Sequence, residues 1–531
     1  YTIKAIKECD DEDLDIKKIP LDDDLTFDLI KSTRTLGLFQ VESPGQRELV
    51  GKLVPDQFND LVIGISLFRP GPIKSEMITP FLNARTGAVG ANLIHDDLAP
   101  ILEQTKGVVV FHEQVIEIIA KMTGATFGAA DQMRRNLGSK EGAQEVCDWF
   151  YQRAAKRGYS KSVVDYTWQI LRDFASFGFC KAHASAFAMT TYQSAYLKTH
   201  HTAAFLAAVL TCEPGMYPKR LLIDEARQWG IEILPVDINK SAAGYKVEKV
   251  VREKDKYLYT APNTKSSGAK LTLPNATGYG IRVCLADIAG ISVSEIKSIV
   301  ANRPYTDLAD FTYRSGAHWP TTQILVEIGA FDLLHGIGIG SKLNRRDLYV
   351  HLQELKQLNA GKAASGQLSL ALSPGEIDSL GLPDITKSEQ IGSELQNLGL
   401  DITEHLLKQY APFLDALNVC KSSDLIKVRS NQEVLVVGAK VALQSPPIRS
   451  GKRVLFLTLD DGFGCSDLTF FEDTQQSYAH VIKGNNLIVA KGVVRRTGAR
   501  GVSIRASAAW SLDELYEKWL NQQSEMVSIT N

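Results

Sequence analysis

Cysteine is scarce in this sequence: seven in 531 residues, scattered from Cys9 to Cys465 and nowhere in a CxxC pair. That scatter excludes a disulfide scaffold and a zinc ribbon, and the expected home of the chain is the reducing cytoplasm. Long hydrophobic runs are missing too. No apolar stretch approaches the ~18 residues needed to cross a bilayer, so no membrane partner is expected. Neither charge dominates, with 59 Lys and Arg against 61 Asp and Glu and a formal net charge of −2. A protein that coats nucleic acid over its whole surface is thereby excluded, whereas local basic surfaces are not. There is no Walker-type phosphate loop, which excludes a P-loop ATPase. There is no signal peptide either: the opening residues are acidic, with Asp10, Asp11, Glu12, Asp13 and Asp15 in one cluster.

What is present is ordinary globular material, 44% hydrophobic and 23% charged. At roughly 150 residues per domain the length predicts three to four domains. Apolar residues recur at helical spacing through most of 45–235, for example Val115, Ile116, Ile118, Ile119 and Met122. Ala184–Leu210 reads as one Ala-rich helical region. Residues 236–282 read as short strands and loops, 283–335 as short helices punctuated by glycine, and 358–376 as an Ala/Gly/Ser-rich linker. From 432 to 510 the pattern alternates as in strands: Val434–Gly438, Val454–Leu459, Asp467–Phe471 and Leu487–Ala490 predict a small barrel. The fold class is therefore multidomain α+β. Its blocks are 1–44, 45–235, 236–357, 358–431, 432–510 and a terminal helix and tail at 511–531.

Two groupings carry chemistry. Arg134 and Arg135 are adjacent within a helical stretch, where neighbours diverge by ~100° and so grip two sides of a polyanion; a solvated basic face is the alternative. Lys181 and His183 follow the aromatic turn Phe177-Gly178-Phe179 just ahead of a helix, whose first N–H groups and dipole favour phosphate. A histidine satisfied within the core is the alternative for His183.

Further stretches accompany these groupings: Phe39-Gln40-Val41-Glu42-Ser43, Phe68-Arg69-Pro70-Gly71-Pro72, His112-Glu113-Gln114-Val115, Met133-Arg134-Arg135, Phe177–His183 and Tyr192-Gln193-Ser194 occur in that order. Together they resemble the fingers region of the bacterial family C DNA polymerases, the DNA polymerase III alpha subunits. The resemblance implies a DNA-directed DNA polymerase, with 1–44 as the end of the palm and connector and 45–235 as the fingers. In that family two Mg²⁺ ions on three palm aspartates activate the primer 3′-hydroxyl. Those aspartates lie before the point where this chain begins at Tyr1, so the chain reads as a fragment with no catalytic residue and no metal ligand of its own, inactive alone. The cluster at Asp10–Asp15 does not match them. Arg134, Arg135, Lys181 and His183 match the basic residues that hold the dNTP triphosphate.

The same resemblance assigns 236–357 to a β-hairpin region and a tandem helix-hairpin-helix, with Gly290 and Gly329 at the DNA-facing turns; a purely structural αα-hairpin is the alternative. It likens Gln367-Leu368-Ser369-Leu370-Ala371-Leu372 to a sliding-clamp-binding peptide, with Gln367, Leu368, Leu370 and Leu372 as anchors. It likens 432–510 to an OB-fold, including the stretch Leu457-Thr458-Leu459-Asp460-Asp461. Ten Lys and Arg against five Asp and Glu within 438–506 suit single-stranded template, through Lys452, Arg453, Arg495 and Arg496. Phe456, Phe470 and Phe471 there are stacking rings or core. Primer–template DNA, dNTPs, the sliding clamp and other replication or translesion factors are the implied partners. The short tail after Trp510 implies the error-prone branch. The competing reading is a non-catalytic, clamp-tethered DNA-binding accessory protein.

Overall fold

Apolar stripes at helical spacing, closed by local caps, decide where the helical part begins and ends. In the computed structural model, which describes residues 1–68, 78–85, 94–174, 179–251, 271–338, 340–365, 377–445, 454–497 and 501–530, the helix His112–Thr123 buries Val115, Ile118, Ile119 and Met122. Thr126 caps the next helix, Phe127–Asn136, by accepting from the Ala129 amide, and Ser139 caps Lys140–Lys156 in the same way through Gly142. These helices and Lys161–Phe174 enclose one core, from Leu98 to Leu171, around Phe150 and Trp168.

A second and larger core runs from Ile6 to Ile402. Its spine is the helix Lys181–His200, which packs on Phe58–Leu67 and on Asp24–Lys31. The Ala-rich region is helical as expected and consists of two helices: the chain turns at His201 (φ −133°, ψ 51°) and resumes as Thr202–Cys212. The break turns the second helix, which is buried on almost every side, into the core. Three short strands follow, β1 (Glu232–Leu234), β2 (Lys246–Lys249) and β3 (Tyr279–Arg282), with β3 central, parallel to β1 and antiparallel to β2.

Residues beyond β3 form paired short helices. Ser292 and Glu295 make a reciprocal cap at the start of Val293–Ala301. The same Glu295 carboxylate accepts from the His318 amide (2.9 Å) and Thr321 Oγ1 (2.8 Å), tying the first helical pair to the second. Burial alone would raise this carboxyl, but those backbone and hydroxyl donors hold it down to about 2. The helix Arg345–Ser365 runs on into the stretch expected to be a linker; Leu358, Ala360, Lys362, Ala363 and Ala364 are good helix formers and outweigh the one glycine there.

The last part is a closed five-stranded barrel in the order β4 (Glu433–Gln444), β5 (Leu455–Asp460), β6 (Cys465–Phe470), β8 (Gly501–Ser511), β7 (Leu487–Thr497). Closure rests on a short parallel contact of β6 with β8, Leu468 opposite Ile504 and Thr469 opposite Arg505. A helix, Glu472–Gly484, sits between β6 and β7. The fourth alternating stretch and the three before it are strands as expected; β8, whose Ser and Ala residues mute the alternation, completes the wall. No helix among the described residues is long and apolar enough to cross a membrane.

Candidate functional site

The aromatic turn before Lys181 places two helix starts side by side. Phe111 and Phe179 form a single isolated parallel bridge, and the His112 amide donates to the Phe179 carbonyl at 2.9 Å. The start of His112–Thr123 is thus fixed beside the start of Lys181–His200. The Glu113 carboxylate accepts from the Lys181 amide at 3.0 and 3.1 Å, so an internal anion already occupies part of the helix start that the sequence marks for phosphate. Lys181 Nζ reaches Gln104 Oε1 at 2.6 Å and lies 5.7 Å from the centre of the Phe111 ring.

Arg134 comes to the same place from the neighbouring helix. Its Nη1 is 3.4 Å from His112 Nδ1, and its Nη2 is 2.8 Å from Asp131 Oδ1. Arg135 holds the other oxygen of Asp131 at 2.8 Å, with its side chain 67% exposed against 19% for Arg134. Arg134 and Lys181 are therefore both seated on Phe111-His112-Glu113, while Arg135 joins them only through Asp131. His183 is exposed and packs against the rings of Phe179 and Phe187, 5.2 and 4.4 Å between centres. Hydrogen bonds from Arg134 and Arg135 hold Asp131 below the usual carboxylate range. Burial, aided by Arg134, pushes His112 below its ordinary value and favours the neutral ring. One guanidinium thus lies against the imidazole, a second joins it through Asp131, and the Lys181 ammonium sits over the neighbouring Phe111 ring. His112, Glu113 and Asp131 were not singled out as site residues; the stretch His112-Glu113-Gln114-Val115 was the available signal, and only the Phe111–Phe179 pairing gives it a role.

The two hairpin glycines differ. Gly290 (φ 75°) is exposed, with open space where a Cβ would stand, and the amide beside it, on Ala289, donates to the Asn397 carbonyl at 2.8 Å. Gly329 (φ 80°) is buried, and a Cβ there would fall on the guanidinium of Arg345, which holds Asp332 at 2.7 Å and the Glu327 carbonyl at 3.2 Å. Gly290→Ala is expected to cost about 1–2 kcal/mol from left-handed strain alone. Gly329→Ala should cost at least about 1 kcal/mol more, because it also dislodges the Arg345–Asp332 pair. Hydrogen exchange in the helices Val293–Ala301 and Trp319–Glu327 during urea unfolding of both variants checks this; equal losses would mean that Arg345 moves aside freely.

On the barrel, alternation sorts the three rings: Phe470 is fully buried, while Phe456 and Phe471 are 38% and 37% exposed. The two exposed rings, with Phe463, Arg495 and Arg505, line a cavity of about 1300 Å³ between the barrel and the helix Pro44–Leu53. Arg505 lies 5.4 Å from the centre of Phe471, and Lys421 4.5 Å from that of Phe463. Arg47 spans the gap to Asp467 of β6 at 2.8 Å. Arg495 is exposed on β7, and the Arg496 amide donates to Ser430 Oγ at 3.4 Å. Lys452, Arg453, Gln367, Leu368, Leu370 and Leu372 lie outside the described residues.

The acidic opening does not fit a pair of Mg²⁺ ions. Asp10 is held by Lys249 (3.1 Å) and the Tyr279 hydroxyl (2.9 Å), Asp11 and Asp13 both by Lys7 (2.9 Å), and Asp15 by Lys18 (3.4 Å). These carboxylates are spread over several lysines rather than turned toward one point.

Comparison with known proteins agrees with this architecture. The bacterial DNA polymerase III alpha subunit finger domain matches residues 1–158, a helix-hairpin-helix motif 230–337, and an OB-fold nucleic acid binding domain 434–512. The chain is 35% identical to an error-prone DNA polymerase of Symbiobacterium thermophilum, over 94% of its own length and 48% of the relative's. It is 30% identical to the DNA polymerase III subunit alpha of Haemophilus influenzae, over 96% and 43%, and 28% identical to that of Escherichia coli O157:H7, over 95% and 43%. The chain spans less than half the length of each of these relatives.

Proposed function

We propose that this chain, which carries the finger domain of the bacterial DNA polymerase III alpha subunits followed by a helix-hairpin-helix and an OB-fold, is the nucleotide-selecting and DNA-holding part of a template-directed DNA polymerase. The observation that supports this most is the seating of Arg134 and Lys181 on one pair of helix starts, within or beside the matched finger domain. An incoming dNTP triphosphate would replace Asp131 as the partner of Arg134 and Arg135, keeping their planar forks and exchanging a carboxylate for a more highly charged acceptor. Lys181 and His183 would complete the cradle. Such fixed cations hold the α-phosphate in line and neutralise charge that builds on the leaving phosphates.

In the complete enzyme the reading calls for Mg²⁺ at the primer terminus; the carboxylates at 10–15 are committed elsewhere, and no step is assigned to a metal on them. Primer–template duplex would lie against the hairpins at Gly290 and Gly329. Single-stranded template would stack on Phe456, Phe463 and Phe471, with Lys452, Arg453, Arg495 and Arg496 along its phosphates. Gln367, Leu368, Leu370 and Leu372 would anchor a sliding clamp, and the setting is the bacterial cytoplasm.

Fluorescence anisotropy with this chain tests the DNA-holding half. Single-stranded DNA should bind at low salt, and about six phosphate contacts would weaken it roughly 300-fold between 50 and 200 mM salt. Binding that ignores salt, or none at low salt, would sink the reading. Primer extension by the complete gene product tests the other half.

A further inference from the structure

The stretch Leu457-Thr458-Leu459-Asp460-Asp461-Gly462 ends β5 and folds over His405, so that a Cβ on Gly462 would lie 3.0 Å from the imidazole. Beneath this loop four side chains from three parts of the chain converge. Asp224 comes from the helix Lys219–Gln228 of the large core, Asp401 and His405 from the connector ahead of the barrel, and Asp460 from the barrel itself. All are more than nine-tenths buried. None belongs to the surfaces described above.

Each of these side chains presents one polar atom inward with no hydrogen-bond partner: Asp224 Oδ2, Asp401 Oδ1, His405 Nε2 and Asp460 Oδ2. The opposite atoms are all held. Arg227 donates to Asp224 Oδ1 at 2.6 Å, the Leu406 amide to Asp401 Oδ2 at 3.0 Å, and the Gly462 amide to Asp460 Oδ1 at 3.0 Å. The Leu407 amide reaches His405 Nδ1 at 3.2 Å. The carboxylates are thus oriented by their outer oxygens, as metal ligands are. Buried polar atoms are nearly always hydrogen-bonded, whereas here His405 Nε2 has only ion-pair approaches of 3.6 Å from Asp224 Oδ2 and Asp460 Oδ2 and Asp401 Oδ1 has no bond, which marks a missing partner.

The spacing fits a cation as that partner. His405 Nε2 is 3.6 Å from both Asp224 Oδ2 and Asp460 Oδ2, close to the ~3.4 Å between neighbouring ligands of an ion held at about 2.1 Å. Ligand atoms of Asp224, Asp401 and His405 all lie within 4.8 Å of one another, so a modest inward movement closes the set. One imidazole with two or three carboxylates and no thiolate suits Mn²⁺ or Zn²⁺ better than an all-oxygen ion such as Ca²⁺.

We infer that Asp224, Asp401 and His405, with Asp460 beside them, form a site for a divalent transition ion that pins the barrel to the helical core. Binding through Nε2 leaves the ring proton on Nδ1, so the weak Leu407 contact is given up. A dication supplies the positive charge that this buried carboxylate set lacks. The inference is independent of the polymerase reading, because it concerns the joint between the parts and not their ligands.

The test uses the full chain, stripped with chelator and titrated with Zn²⁺ and separately with Mn²⁺ by calorimetry, with metal content measured after dialysis. About one ion should remain per chain, and its uptake should raise the thermal transition of the apo protein. Asp224→Asn and His405→Ala should each weaken uptake by about 100-fold, while His480→Ala, at an exposed position away from the cluster, should leave it unchanged. Should either cluster variant fail to fold, the wild-type titration alone decides. Wild type that takes up neither ion overturns the inference and leaves a proton-bridged cluster; so do folded Asp224→Asn and His405→Ala variants that bind as tightly as wild type.

Discussion

Replacing Lys198 with Ala is expected to destabilise the large core by about 3–5 kcal/mol, as breaking a buried ion pair from one side does. Lys198 is fully buried near the end of the helix Lys181–His200. Its ammonium donates to Glu225 Oε1 (2.7 Å) and to the carbonyls of Leu36 (2.7 Å) and Arg34 (3.1 Å). Glu225 also accepts from Trp229 Nε1 at 2.7 Å, and the Arg34 guanidinium lies 3.8 Å from the centre of the Trp229 ring. Burial alone would raise the Glu225 carboxyl, but Lys198 and Arg34 outweigh it and keep it ionised. Removing the ammonium therefore strands a buried carboxylate and two carbonyls together. The double variant Lys198→Met, Glu225→Gln should recover much of the loss, because the charge leaves with its partner and the amide still accepts from Trp229. Several cores rule out a single two-state analysis, so the readout is hydrogen exchange in Lys181–His200 during urea unfolding. A change under about 1 kcal/mol in the single variant would show that water reaches Glu225.

On the reading proposed above, Arg134→Ala in the complete polymerase is expected to lower kcat/KM for every dNTP by roughly 10²-fold, the usual effect of removing one fixed donor from a developing negative charge. Arg134→Lys should recover little of it, since an ammonium cannot reproduce the planar fork. Arg135→Ala should fall by a smaller factor, on the order of 10-fold, because its side chain is mostly in water. Arg134 is only partly buried, and its pairs with Asp131 and His112 lie at the surface, so thermal stability should shift by no more than about 1 kcal/mol. Steady-state kinetics with a fixed primer–template separate the two quantities. Wild-type kcat/KM in both single variants would remove Arg134 and Arg135 from the nucleotide site.

How much of this was legible beforehand follows from the range of the forces involved. Alternation over Val434–Gly438, Val454–Leu459, Asp467–Phe471 and Leu487–Ala490 announced the barrel, because a strand half-buried on one face must repeat every second residue. The stripe Val115–Met122 is equally local. The break at His201 was not visible, since Ala-rich sequence on both sides is good helix and only packing in the core turns the second segment away. β8 was missed for a related reason: its alternation is carried by Ser and Ala, too small to register as a stripe. The run of Arg134 and Arg135, and of Lys181 and His183, stood out as chemistry, but nothing in the chain order said that Phe111 and Phe179 would pair.

By itself the sequence determined most of the helices and strands, the supply of aromatic rings and cations, and which family the motifs resemble; these depend on neighbours a few residues apart. The tertiary structure alone decided that Arg134 and Lys181 share one pair of helix starts, that Arg345 covers Gly329 while no described residue covers Gly290, and that Asp224, His405 and Asp460 face each other across three parts of the chain. Those arrangements join residues as far as 236 positions apart. Contacts of that span are set by how the cores pack, and no local pattern records them.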